Sequence, residues 1–412
     1  MQDPASGRAR GAARTLEPLA SAGGRPVREL FLPFHRPSIG ESEKRLVLEA
    51  LDSGWITTGP KSVELARRIA ALAGARHGVA MSHATGALHT ALAALGVGPG
   101  DEVITSVYTF TACVNVIVHL GATPVPVDVE PDTLCLDPRA VETALTPRTR
   151  ALMPVDYAGH PCDLDAIMRI AGARGLPVVE DAAHALGARL GGRPIGSIAT
   201  VTAFSFYATK NLTTGEGGAA VTDDGALAER MSLLSLHGMS HDAWKRYTAE
   251  GSWFYEVVAP GYKYNLSDVL AAVGLGQLER FEAFQRRRAE IAALYARELA
   301  DLPEVRRPAV RPGVEHAWHL YPIALDLDRL SCDRARVIAE LAAERIGTSV
   351  HFIPVHLHPY FARAYGGRPG QFPVAEDAYR RAISLPLYPL MSDGDVADVA
   401  AALRKVVAHF RR

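Results

Sequence analysis

The chain has 412 residues, 48% hydrophobic and 22% charged, with a formal net charge of −1. Such a length calls for two domains and such a composition for a globular protein, while the balanced charge excludes the basic excess of a nucleic-acid binder. Cys113, Cys135, Cys162 and Cys332 form no CxxC pair and no apolar run reaches 18 residues, which argues against a disulfide framework, a zinc knuckle and a membrane span, and for a reducing cytoplasm.

Residues 1–30 are rich in Ala, Arg, Gly and Pro and lack the apolar stretch of a secretory signal. They read as a disordered extension ahead of a fold that begins near Phe31. From about 61 to 225, short apolar runs alternate with helical patterns. Strands are expected at 78–82, 102–106, 123–129, 151–157, 176–181, 201–206 and 218–223, and helices at 61–73, 85–95, 109–120 and 163–174. Continuously apolar runs fit strands buried on both faces, so the expectation is an α/β domain built on a mostly parallel seven-stranded sheet. After residue 266 the rhythm slows. Ser267 is placed to cap one long helix running to about 299. Apolar runs at 319–327 and 348–356 and helices at 333–345 and 393–409 then suggest a smaller α+β domain. The boundaries drawn are 31–275 for the large domain and 276–412 for the small one.

In open α/β sheets, ligands sit outside the carboxyl ends of the strands. Three such ends carry chemistry here. In SHATGAL, Ser82, Thr85 and Gly86 open an Ala/Leu-rich helix, where free amides and the positive dipole end make a phosphate site. A plain Ser/Thr N-cap would look the same. Asp181 ends the buried strand PVVED, where a lone carboxylate is costly, so it either pairs with a cation or caps the Ala-rich run that follows. Lys210 follows VTAFSF and precedes Gly215, Gly217 and Gly218; taken alone it could be a solvated loop charge. A phosphate nest, a buried carboxylate and a strand-end lysine together match the needs of pyridoxal phosphate. The carboxylate would hold the pyridinium proton, and a desolvated lysine would act as nucleophile and proton carrier. Tyr108 and Phe110 are the aromatics available to stack on the ring.

The chain resembles the DegT family of pyridoxal-phosphate-dependent nucleotide-sugar aminotransferases, which have the aspartate aminotransferase fold, fold type I. The segments that carry the resemblance include FHRPSIGESE (34–43), SGWITTGPK (53–61), EDAAHALGA (180–188), FSFYATKNLTTGEGG (204–218), GYKYNLSDVLAAVGLGQLE (261–279) and TSVHFIPVHLHPYF (348–361). The resemblance implies that Lys210 forms the Schiff base, Asp181 binds the pyridine nitrogen and His184 lies beside the ring hydroxyl. It further implies that Thr85, Gly86 and Ser205 hold the phosphate and that Phe110 stacks on the ring. Asn265 is expected to reach the phosphate of a neighbouring subunit, hence a homodimer with shared active sites. His351 and Thr58 are expected at the substrate.

By the same resemblance, glutamate supplies the amino group and a nucleotide-linked keto sugar receives it. The SGWITTGPK loop and the GYKYN pattern favour C4 of a dTDP- or UDP-linked 4-keto-6-deoxyhexose over C3 amination or amino-cyclitol formation. Sugar dehydratases of this fold carry histidine in place of the lysine, so Lys210 argues against that activity, and the intact set of site residues argues against a purely regulatory role. His351, His356 and His358 lie among prolines and read as a turn, with no metal expected.

Overall fold

The computed structural model describes residues 17–239 and 255–412. Its first unit holds the strands β1 (His77–Met81), β2 (Glu102–Ser106), β3 (Thr123–Val127), β4 (Thr149–Met153) and β5 (Val179–Asp181). The two-residue strands β6 (Arg189–Leu190) and β7 (Arg193–Pro194) follow, then β8 (Val201–Ser205) and β9 (Gly218–Thr222). Hydrogen-bonded neighbours run β3-β2-β4 and β5-β8-β9-β1. Parallel bridges from Leu152 to Val178 and from Val155 to Asp181 join the two halves into one seven-stranded sheet. Only β9 runs against its neighbours. The reason lies in its connection: a direct loop from β8 can join antiparallel strands, whereas a parallel return needs a crossover. That loop carries Lys210.

Both faces of the sheet are covered, as its apolar strands require. Alternate residues serve opposite cores. Val103, Ala203 and Ala220 face one set of helices, while Ile104, Phe204 and Val221 face the other. The first set comprises α3 (Ala84–Ala94), α4 (Ala112–His119) and α7 (Gly225–Ser235); the second includes α2 (Pro60–Leu72), α6 (Leu164–Gly172) and α8 (Asp268–Leu278). On the second side, α8 also packs against α1 (Glu41–Asp52).

The single long helix expected from Ser267 is two helices. Ser267 does cap α8, but the chain breaks at Glu279–Arg280 before α9 (Phe281–Glu298) begins. Arg280 reaches back to the Ser38 carbonyl at 3.0 Å and to Glu43, tying the break to α1. Past it, Ile291 and Tyr295 of α9 enter a second core. That core also takes Ile323 of β12 (Tyr321–Leu325), Val337 of α10 (Arg334–Ala343), Ile383 of β13 (Ala382–Leu385) and Leu403 of α13 (Asp393–Phe410). The apolar run 348–356 makes no strand beyond one bridge, Ser349 to Ser384. The hydroxyls of Tyr108 and Tyr157 donate to the His351 carbonyl at 2.8 and 2.7 Å and claim a group that a ladder would need.

Residues 17–30, expected in a disordered extension, are docked on this second unit; residues 1–16 lie outside the described residues. Leu19 and Leu32 enter its core. The amides of Ala20 and Val27 donate to the Glu344 carboxylate at 2.9 Å each, and the Lys405 ammonium pairs with the same group. Arg28 bridges to Asp395 at 2.8 Å. Glycine- and proline-rich composition hid this strap, because two apolar anchors and backbone amides leave no periodic pattern.

Candidate functional site

A cleft of about 480 Å³ opens at the carboxyl ends of β1, β5 and β8, the edge of an α/β sheet where ligands are expected. It gathers Thr85, Phe110, Asp181, His184, Ser205, Lys210 and His351, which the chain supplies from widely separated segments.

Asp181 closes β5 and is buried. No helix follows it, so helix capping is not its role. One oxygen, Oδ1, accepts from the Ala183 amide at 3.0 Å; the other, Oδ2, accepts from the Cys113 thiol at 2.8 Å. Burial pushes the Asp181 carboxyl up, while Cys113, Ala183 and the Lys210 charge pull it down. Burial likewise lowers the Lys210 amine to about 8, opposed by the Asp181 carboxylate. An amine so placed is far more often unprotonated near neutrality than a solvated one, and that is what a nucleophile requires.

The walls are aromatic. Phe110 leaves 60% of its surface uncovered, an exposure that suits a side chain waiting for a flat ligand. Phe352 stands 6.1 Å from it and stacks on His184 at 5.8 Å. At the floor, Thr85 lies in the first turn of α3, whose dipole favours an anion. Gly218 shows how tightly this corner is built: a Cβ there would come within 2.4 Å of the Ala84 amide nitrogen. The glycine lets β9 start directly against the first turn of α3. We expect Gly218→Ala to cost about 1–3 kcal/mol of stability and to weaken cofactor binding more than tenfold, as measured by thermal melts and by titration of the apoprotein.

A flat aromatic wall, a buried carboxylate, an amine with lowered affinity for protons and a helix N-terminus fit pyridoxal phosphate group by group. The comparisons agree. Residues 37–404 match the DegT/DnrJ/EryC1/StrS aminotransferase family. The chain belongs to this family. The spore coat polysaccharide biosynthesis protein SpsC of Bacillus subtilis is 51% identical to the aminotransferase over 92% of this chain and 98% of its own. Spr1654 of Streptococcus pneumoniae, solved in PMP and PLP forms, superposes with a TM-score of 0.85 at 35% identity for the PMP form, covering 92% and 98% of the two chains. DesI, solved in the presence of its TDP-sugar product, gives 0.83 at 35% identity over 94% and 95%. The protein is thus a pyridoxal-phosphate-dependent sugar aminotransferase of fold type I.

Gly86 and Thr58, which the resemblance puts at the site, lie off this cleft in the aminotransferase, as does Asn265, which the resemblance assigns to a neighbouring subunit. The amide of Gly86 is engaged, donating to His83 Nδ1 at 2.7 Å. A Cβ at Gly86 would sit 3.0 Å from both the His83 ring and the Tyr264 ring, so the glycine follows from that packing. Asn265 and Thr58 bond to each other, and Thr58 donates to the Leu266 carbonyl at 2.9 Å. Conversely, Phe352 and His319 line the cleft without any sequence signal, and Cys113 reaches Asp181 from α4 across 68 positions. Only the cysteine's place, three residues after the expected ring aromatic, could have drawn attention to it.

Proposed function

We propose that this aminotransferase moves an amino group from glutamate to the C4 keto group of a 4-keto-6-deoxyhexose linked to dTDP or UDP. The observation that carries the chemistry is the Lys210 amine, lowered to about 8 and facing a cleft that also holds Asp181. Bound pyridoxal phosphate supplies an electron sink for the amino-bearing carbon. The chain's own residues do the rest. Lys210 carries the proton between substrate carbon and cofactor, and its neutral form is the one able to accept that proton. Asp181, fixed by Cys113 and the Ala183 amide, holds the proton on the ring nitrogen. Thr85 and Ser205 bind the phosphate, Phe110 covers the ring, and His184 and His351 border the ring and the sugar.

Support for the C4 position comes from the two segments on which that reading rests. Thr58 of SGWITTGPK and Asn265 of GYKYN are bonded to each other, so both belong to one structural feature. The TDP-sugar product of DesI supports a nucleotide-linked substrate. Incubating the purified protein with glutamate and a panel of nucleotide-linked 3-keto and 4-keto sugars decides the position: turnover confined to the 3-keto members, or to cyclitol ketones, overturns it. Free cysteines, three of them buried, fit a reaction in the reducing cytoplasm, and no helix among the described residues is long and apolar enough to cross a membrane.

Asn265 does not line the cleft of its own chain. The resemblance assigns it to the phosphate of a second copy, and on that reading the working unit is a homodimer with shared sites. Mixing inactive Lys210→Met and Asn265→Ala proteins is expected to restore measurable activity, since one hybrid site then has both residues intact. No recovery in verified heterodimers would rule the sharing out.

A further inference from the structure

We infer that His319 presents the lone pair of its Nε2 to a polar hydrogen of the substrate beside Lys210, and that Asn211 sets this orientation. The inference rests on the aminotransferase site described above and adds a residue to it.

Asn211 follows Lys210 and is buried. One end of its amide lies 2.7 Å from the Ala317 carbonyl and 2.9 Å from Gln285 Oε1. A carbonyl oxygen only accepts, so that end is the NH₂ group. The other end, Oδ1, therefore faces His319 Nδ1, at 3.2 Å. Since that oxygen can only accept, Nδ1 carries the proton. The neutral ring is left with a bare Nε2. His319 is only 5% exposed and lines the cleft, and among the described residues its ring bonds through Nδ1 alone.

Burial and the neighbouring His184, Lys210, Arg288 and His351 hold the His319 ring well below the usual histidine range, so it stays an acceptor. His184, 4.4 Å away, has the opposite polarity. The Ala158 amide donates to its Nδ1 at 3.2 Å, which puts the proton on Nε2. The cleft wall next to Lys210 thus offers one imidazole as donor and one as acceptor. A ligand that fills the cleft without offering this acceptor a hydrogen pays to desolvate it, so the wall favours a ligand that brings one. Two ligands bring a suitable hydrogen: the amino donor through its ammonium group, and the sugar through a hydroxyl near the reacting carbon.

The test uses the holoenzyme carrying His319→Asn, whose amide nitrogen keeps the bond to Asn211 while the Nε2 position is lost. Each half-reaction is followed separately by the absorbance of the cofactor. We expect half-saturation to rise about 10- to 100-fold in one half-reaction, with the other, the cofactor spectrum and the Tm close to wild type. A loss with glutamate assigns the contact to the ammonium, and a loss with the keto sugar assigns it to a hydroxyl. His319→Gln, which places an amide oxygen near the Nε2 position, should recover most of the affinity. Wild-type half-saturation in both half-reactions, or equal losses in both with reduced cofactor occupancy, would overturn the proposal. If the asparagine variant does not fold, the glutamine variant decides: near-normal half-saturation supports the acceptor role, and a large rise refutes it. A wild-type protein that shows no cofactor band would instead refute the site assignment itself.

Discussion

Lys210→Met is expected to reduce amino transfer by about 10⁴-fold or more, because nucleophile and proton carrier vanish together. The protein should still bind pyridoxal phosphate, non-covalently, since the carboxylate, the aromatic wall and the phosphate turn are untouched. Borohydride would then fail to fix the cofactor, whereas it fixes it in wild type. The same variant tests the electrostatics of the apoprotein. Folding takes the amine from 10.5 to about 8, so the unfolded chain binds the proton more tightly. The penalty is present in full below about pH 8 and disappears as pH rises through 10.5. Apo Lys210→Met should therefore be more stable than wild type at pH 7, by about 1–2 kcal/mol after allowance for solvent in the cleft. That lead should shrink to nothing by about pH 10.5. Denaturant melts at several pH values measure it, and a lead independent of pH would show that the amine is not desolvated.

Asp181→Asn is expected to lower kcat by about 10²- to 10³-fold with little change in KM. The variant keeps the shape of the carboxylate but loses the charge that holds a proton on the ring nitrogen. Cys113 and the Ala183 amide, which donate to the two oxygens, fix the side chain from behind. Because burial raises this carboxyl, its charged form opposes folding once pH exceeds the unfolded value of 3.8. The apo variant should therefore lose no stability at pH 7. A kcat within tenfold of wild type would remove Asp181 from the chemistry.

The strand-end residues to which the chemistry is assigned were legible because each sits in a short motif with a physical signature. Lys210 precedes glycines, Asp181 ends an apolar strand, and Thr85 opens an alanine-rich helix. The alternation of strands and helices likewise prescribed the sheet. What escaped depends on contacts across long separations. The Asn211–His319 bond spans 108 positions, and no pattern within a window of eighteen residues registers it. Arg280 broke a helix whose local pattern is unbroken, because its partners, Ser38 and Glu43, lie just before α1 and in its first turn. The tyrosine clamp on His351 undid a strand that composition favoured.

The strap has a consequence for how the enzyme is made. Ala20 bonds to Glu344 across 324 positions, and Lys405 completes that cluster. During synthesis residues 17–30 emerge long before Glu344, which takes two of their amides, and before α13, which supplies Lys405. Pairings so distant along a chain form slowly. The strap then continues through Leu32 to His35, which bonds the Ala208 carbonyl at 3.0 Å, two residues before Lys210. The loop that bears Lys210 is thus tied, through one continuous segment, to a cluster that joins Ala20, Glu344 and Lys405. A chain whose sheet has formed before that cluster closes still has this latch incompletely anchored.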